Sequence, residues 1–472
     1  MNGKKGEGMK TSMRGGWRTA FLALVASMLV FVTACSDKGG PRREPAIEGK
    51  FLVIWDAGSG LSFQHHLEGP IKARHPGVEL RDLQMERKEW KDDSVGPNPP
   101  LTMYRAAEWE TEADLIMFES VLAPFLFKSG YLEPLDRFVQ SDAELYANLD
   151  GRALDYARAQ GYGTLYGIPF GKNVYALYYN KTLFDELGMP HPVNGMTWDE
   201  VFGLAERIAV HEGLGERAAF RFPDENLAIS QLGIPVFDPA TGEIDADNPE
   251  RERVRLFVER VYEVESLTPL GRNFTLLFSH FAAGRIAMIP GRFIGDNTSW
   301  AKDHTTWALM PYKDEWGFVS FPVHADRPRT GPAPAYYYLG IPKTSMRKEE
   351  AYRLIRTMLE EEAQRENSRR AVASVWRDPA VNDRFGELDS SLSGRDTSPF
   401  FHHPEQGMLD PEYDLDMQYI GTDTYWPGGS PTFLDLMEYR RQQLEKVGVS
   451  LDEWPGRAKA DRWPALESED GD

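Results

Sequence analysis

The sequence predicts an α/β fold, and three observations carry that prediction. Short apolar runs ending in glycine or polar residues recur from residue 51 onward, as buried strands meeting loops do. Stretches with apolar residues at helical spacing fall between them. No repeat of fixed period replaces this alternation. At 472 residues the chain has room for two or three domains.

The first segment reads as an address. Lys4, Lys5, Lys10, Arg14 and Arg18 form a basic region, and an apolar run from Ala20 to Val32 follows, broken only by Ser27. At about 13 residues the run is shorter than the roughly 20 that span a bilayer as a helix. It has the length of a signal peptide. The run ends in Val32-Thr-Ala-Cys35, which resembles a bacterial lipobox, and Cys35 is the only cysteine in the chain. Residues 1–34 are therefore expected to be removed and Cys35 to carry the lipid. More than one acyl chain on it would give stable anchoring. Residues 35–49 read as a lipid-anchored flexible tether.

The strands and helices then follow in order. Phe51 to Asp56 reads as a buried strand running into a polar, glycine-rich loop, and Val78 to Leu80 as a second strand. Asp114 to Phe118 is a third, with Glu119 at its carboxyl end, and Leu122 to Gly130 is a helix stopped by glycine. Thr197 and Glu200 form a capping box for a helix whose Val201, Ala205 and Ile208 share a face. Glu250 to Tyr262 is a further helix, and Arg285 to Ile289 a strand after the glycine at 284. Thr344 or Ser345 is expected to cap a helix burying Ala351, Leu354, Ile355, Met358 and Leu359.

Composition limits the function. Seventy-three acidic residues against 53 basic ones give a net charge of −20, and loss of residues 1–34 leaves the body near −24. Such a body repels phosphate backbones and anionic membranes, which excludes general nucleic-acid binding. A single cysteine excludes an intrachain disulfide and multi-cysteine zinc sites. No motif marks a general acid, so no catalytic residues and no cofactor are assigned. The only histidine pairs, His65-His66 and His402-His403, are adjacent in sequence. Neighbours on a strand or helix do not easily chelate one ion, so no metal site is assigned.

Six ordered segments give a resemblance. Thr164-Leu-Tyr-Gly-Ile-Pro-Phe170 is followed by Val174 to Phe184 and by Gly195-Met-Thr-Trp-Asp-Glu200. Phe281-Ala-Ala-Gly-Arg-Ile-Ala-Met288 with Pro290-Gly291, Trp307 to Pro311, and Gly340-Ile-Pro-Lys343 come after. In this order the chain resembles the large carbohydrate-type extracellular solute-binding proteins of bacterial ATP-driven importers, over roughly residues 50 to 370. It departs at Glu112-Ala-Asp114, where the family carries Gly-x-x-Pro-Asp, and residues 88–110 resemble an insertion. Similarity fades from about Ala371.

The resemblance implies a two-lobed, type II periplasmic-binding-protein-like fold with hinge-linked lobes and a central ligand cleft. Residues 50–172 and 337–374 would form the N-terminal lobe, and residues 173–336 and 375–472 the C-terminal lobe. The chain would cross near Gly171, Tyr336 and Ser374. The expected ligand is a sugar or oligosaccharide, and the expected partners are the permease subunits of the importer. No nucleic acid is expected, a monomer is, and the membrane is met only through the lipid. The body would face the extracellular side of the cell membrane, with Ser36 favouring a single-membrane, Gram-positive type of cell. A non-sugar solute, or a role feeding a sensor kinase, is the alternative.

A sugar site needs polar groups for the hydroxyls and aromatic faces for the C–H side of the ring. The ligand-binding candidates are Trp55, Asp56, Phe118, Glu119, Lys172, Asn173, Tyr175, Arg292, Phe293, Tyr336 and Trp426. Asn173 falls where a maltose-binding member of the family carries a ligand-contacting glutamate, and Phe293 where that member has a sugar-stacking tryptophan. Tyr336, Tyr337 and Tyr338 alternate across a strand, so at most two share a face. Trp426 sits on a turn-like loop as a lid or stacker. Uronic acids are disfavoured in so acidic a body unless Arg292 offsets it locally.

Overall fold

The computed structural model describes residues 46–55, 59–83, 112–128, 130–161, 163–233, 249–270, 277, 280–293 and 315–407. Asp56, Trp426, Cys35, the signal segment, residues 35–45 of the tether and the 88–110 insertion lie outside the described residues. The expected tether ends earlier than residue 49, because Ile47 is buried in the core and Glu48 and Gly49 already belong to a strand. No helix among the described residues is long and apolar enough to cross a membrane.

The strands, in chain order, are β1 (Glu48–Trp55), β2 (Gly77–Asp82), β3 (Leu115–Glu119), β4 (Gly167–Lys172), β5 (Tyr175–Asn180), β6 (Ala218–Phe220), β7 (Ile286–Arg292), β8 (Trp316–Ser320), β9 (Thr330–Gly331), β10 (Tyr336–Gly340) and β11 (Glu405–Gln406). Two sheets organise them. One is ordered β2-β1-β3-β10-β4 and the other β6-β7-β5-β8. In the first, β1 runs parallel to β2 and β3, while β10 is antiparallel to β3 and β4. In the second, β5 is antiparallel to both β7 and β8, and β6 is parallel to β7.

Each sheet has its own core. Phe51, Ile54, Leu115, Met117, Ile168 and Leu339 of the first pack against Leu354, Ile355 and Met358. Those last three belong to α7 (Lys348–Leu359), named after α1 (Gly69–Arg74), α2 (Ala123–Lys128), α3 (Gly151–Gln160), α4 (Trp198–Ala209), α5 (Asn226–Leu232) and α6 (Pro249–Ser266). The second sheet is covered on both faces. Leu177, Phe220, Met288 and Phe321 meet Trp198 and Phe202 of α4 on one side, and Tyr178, Ile289 and Phe318 meet Phe281 and Phe385 on the other.

The capping box forms as expected. Thr197 Oγ1 accepts from the Glu200 amide, and the Glu200 carboxylate accepts from the Thr197 amide at 2.8 Å. The cap expected for α7 does not. The helix starts after Arg347 with no side-chain cap. Ser345 instead donates its hydroxyl to Asp114 at 2.9 Å and accepts from the Arg347 amide, which ties the loop before α7 to the start of β3.

Three chain passages between the sheets lie side by side. Lys172 and Ala373 exchange backbone hydrogen bonds of 2.9 and 3.1 Å, and the Asn173 amide donates to the Ala335 carbonyl at 2.9 Å. Their closeness explains Gly171: a Cβ there would stand 2.5 Å from Val372 Cγ1. Ala371 ends α8 (Glu361–Arg369) at φ 66°. The Val372 amide bonds the Asn367 carbonyl and the Ala371 amide bonds that of Ser368, a Schellman motif with alanine where glycine is usual. Tyr336 pairs with Lys172 inside the first sheet, so the expected lobe boundary after 336 falls one residue inside β10.

Candidate functional site

The carboxyl ends of β3, β4 and β7 and the start of β10 converge where the chain passes between the sheets, and two clusters form there. The first joins the sheets. Glu119, last residue of β3 and 7% exposed, accepts from Arg292 Nη1 at 3.0 and 3.4 Å. Arg292 ends β7, and its side chain is 36% exposed. Burial pushes the Glu119 carboxyl up, opposed by the charge and hydrogen bond of Arg292. The same charge pair drives the guanidinium up.

Asn173, 9% exposed, lies on the passage from β4 to β5. Its Oδ1 accepts from the Tyr337 hydroxyl. Its Nδ2 is buried and makes no hydrogen bond of ordinary geometry among the described residues, yet it lies near enough to the Glu119 carboxylate to oppose that group's upward shift. Tyr175, at the start of β5, accepts from the Ala335 amide at 3.0 Å. Asp224, in the loop after β6, feels the Arg292 charge and accepts from the Asn226 amide at 3.2 Å. Burial, helped by neighbouring Glu225, raises its carboxyl to about 6.

The second cluster lies beside it, on the face of the first sheet shared by Lys172 and Tyr336, which are register partners. Tyr336 lies 5.8 Å from half-buried Tyr156 of α3 and is nearly parallel to Tyr338 at 6.3 Å. Asp150 caps α3 and holds Arg152, with Nε at 3.2 Å and Nη2 at 3.0 Å. Lys172 has no ion pair or hydrogen bond from its ammonium among the described residues. Burial lowers that group to about 8; Asp150 opposes the shift and Arg152 adds to it.

The structure thus brings together Glu119, Lys172, Asn173, Tyr175, Arg292 and Tyr336. It places the other described candidates differently. Trp55 is buried, donates to the Leu61 carbonyl at 3.0 Å and meets Phe63 edge-on. Phe118 is buried between Phe127 and Tyr338. Phe293 is buried against Phe400 at 5.6 Å. None of the three offers an open ring face here, because side chains of its own core cover it.

Sequence reasoning missed Asp150, Arg152, Tyr156 and Asp224, and it named Tyr337 only as one of three alternating tyrosines. Asp150 before Gly151-Arg152 carries the signal of a helix N-cap, and that signal would have placed Arg152 at an exposed helix start. Asp224 had no signal, since only the fold returns the loop after β6 to Arg292. One histidine of each adjacent pair is committed elsewhere. His66 is buried, and its Nδ1 accepts from the Ser62 amide at 2.9 Å. Burial lowers its pKa to about 4. His403 Nε2 lies 2.8 Å from the Phe321 carbonyl. Among the described residues no three His, Cys, Asp or Glu are grouped to hold a metal.

Comparison with known proteins adds to this geometry. A family model described as "Bacterial extracellular solute-binding protein" matches residues 105–365, more than half of the chain. A protein of Brucella abortus (strain 2308) named as a binding protein is 26% identical over 194 residues, 39% of this chain. The match spans 40% of that relative's length. An ABC substrate-binding protein of Listeria monocytogenes in complex with cycloalternan is similar in structure, with TM-score 0.58 and 15% identity over 86% of this chain and 100% of that one. The cyclic alpha-maltosyl-1,6-maltose binding protein of Arthrobacter globiformis gives 0.57 and 14% over 87% and 96%. A Rhizobium etli sugar transporter in an open conformation gives 0.56 and 17% over 85% and 99%. At these identities the likeness establishes the fold, two hinge-linked lobes about a central cleft.

Proposed function

This chain belongs to the bacterial extracellular solute-binding protein family, and from that premise we propose that it captures a sugar or oligosaccharide for an ABC-type importer. The observation that carries this reading is the convergence of Glu119, Lys172, Asn173, Tyr175, Arg292 and Tyr336. They come from strand ends of two sheets, and the Glu119–Arg292 contact links those sheets. Polar groups beside tyrosine rings suit a ligand with a hydroxylated rim and an apolar face. Covering about 100 Å² of ring face is worth roughly 2.5 kcal/mol at about 25 cal/mol/Å².

In this reading residues 50–172 with 337–374 form one lobe, and residues 173–336 with 375–472 the other. Because each lobe supplies part of the contact set, ligand binds the closed arrangement better and shifts the population toward it. Cys35 carries the lipid, and the body works at the outer face of the cell membrane with the importer's permease subunits. It acts by binding, without catalysis.

A thermal-shift screen of the purified chain tests the reading with mono-, di- and oligosaccharides, peptides and divalent metals. A ligand bound by the folded state alone raises the melting temperature in proportion to the logarithm of its concentration. One glycan family is expected to do so. A response to peptides or metals, with none to any sugar, would retain the family and remove the carbohydrate assignment.

A further inference from the structure

At the passage between the sheets one charged side chain stands without an ion pair among the described residues. Two carboxylates there are each bonded to an arginine, Glu119 by Arg292 at 3.0 Å and Asp150 by Arg152 at 3.0 Å. The Lys172 ammonium, at the end of β4, has neither an ion pair nor a hydrogen bond among the described residues, and an ammonium can only donate. The amide of neighbouring Asn173 is turned to Glu119. Around Lys172 the acting charges are Asp150 and Arg152, so two cations stand against one carboxylate. This local excess of positive charge lies in a chain whose net charge is −20.

A half-buried ammonium without a counterion is costly unless something supplies negative charge. A neutral hydroxyl answers that need poorly, because its gain on leaving water is small, whereas a charge-assisted bond is about twice as strong as a neutral one. The aromatic neighbours define where the rest of such a ligand lies. Tyr156 is half-buried and lies 5.8 Å from Tyr336, which is the register partner of Lys172, so the tyrosine pair and the ammonium belong to one face of the sheet.

We propose that the ligand is an acidic sugar, whose anionic substituent is held by Lys172 with Arg152 beside it while its ring lies along Tyr156. This deepens the sugar-receptor reading and rests on it. It also reassigns the cation expected to receive an acid. Arg292 already answers Glu119 through Nη1, whereas the Lys172 ammonium answers no carboxylate directly among the described residues.

The test is calorimetric titration of the full chain with a short oligogalacturonate, its methyl ester, a neutral oligosaccharide of the same length, and a sulfated one. The free acid is expected to bind at least tenfold more tightly than its ester. Lys172→Met should remove at least tenfold of that affinity and leave the ester within twofold, while Lys172→Arg retains most of it. Arg152→Gln, at an exposed helix start, is the second variant and should weaken the acid about threefold without lowering the melting temperature. Comparable use of the sulfated sugar, with the same dependence on Lys172, supports an anion site that does not distinguish carboxylate from sulfate. Equal binding of acid and ester, or acid binding unmoved by both variants, overturns the inference and leaves the sugar receptor intact. Silence from all four sugars overturns the receptor reading, and this inference with it.

Discussion

Arg221 and Arg292 follow neighbouring parallel strands of one sheet, yet the fold uses them in opposite ways. Arg221, directly after β6, is 1% exposed and surrounded by oxygen atoms. Its Nη1 donates to the Phe220 and Glu265 carbonyls and to Thr268 Oγ1, and its Nε and Nη2 donate to the Leu270 and Thr268 carbonyls. Arg292, at the end of β7, keeps a third of its side chain exposed and reaches a single carboxylate on the other sheet. The first guanidinium closes a loop within one core; the second joins two cores and remains open on one side. Burial alone would rank Arg221 as the more conspicuous group, but its donors are already used. What distinguishes a binding group is capacity left over.

The strongest way to break this comparison is at Arg221. Arg221→Met keeps much of the volume but leaves the Thr268, Leu270 and Glu265 carbonyls facing apolar atoms. Each buried acceptor left unsatisfied costs about 1–3 kcal/mol, so the variant is expected to lose about 3–5 kcal/mol. Urea denaturation should show a lower midpoint with an unchanged slope, while ligand affinity of the folded fraction stays the same. A change in affinity with stability intact would mean that Arg221 belongs to the site.

Glu119→Gln addresses the other arginine and should have a smaller effect. Breaking a wholly buried ion pair costs about 3–5 kcal/mol. Arg292 retains access to water, so about 1–2 kcal/mol is expected. The pair spans the two sheets, so the variant should also move their relative arrangement. X-ray scattering of the ligand-free chain is expected to give a larger radius of gyration than for the parent. An unchanged profile and melting temperature would make the pair incidental to how the lobes sit.

The contrast also explains how much the sequence discloses. The alternation of strands and helices, the Thr197–Glu200 capping box and the strand ending at Glu119 were all legible, because period and cap chemistry are local. Position at a strand end was legible too, and it led to Glu119, whereas Asn173 with Lys172, and Arg292 beside Phe293, came from the family resemblance. Which way an aromatic faces was not. Trp55, Phe118 and Phe293 have the composition of a sugar platform, but Phe63, Phe127 and Phe400 cover them, and those partners lie as far as 107 residues away, at Phe400. Ser345 was misread for the same reason, since its partner Asp114 belongs to a distant strand. The spent or unspent state of a charge depends on such contacts, so Lys172 and Arg292 look equivalent until the fold separates them.

The smallest effect concerns Asp224, the second carboxylate near Arg292. Burial and the adjacent Glu225 raise its pKa from 3.8 to about 6, against the opposing pull of the Asn226 amide and of Arg292. A carboxyl raised on folding binds its proton more readily in the native state than in the unfolded chain. Its contribution to stability is therefore fully present below about pH 4 and is lost as pH rises through 6. Asp224→Asn retains the Oδ1 that accepts from Asn226 and removes the charge. With the partial exposure of this loop allowed for, it should stabilise the chain by roughly 1 kcal/mol at pH 7.5, with the gain shrinking toward zero near pH 4. Melting temperatures of parent and variant from pH 4 to 8 measure this directly. A variant less stable at pH 7.5 would mean that attraction to Arg292 outweighs burial, so that Arg292 answers two carboxylates rather than one. The contrast with Arg221 would then narrow, since Arg292 would also have little capacity left to spend on a ligand.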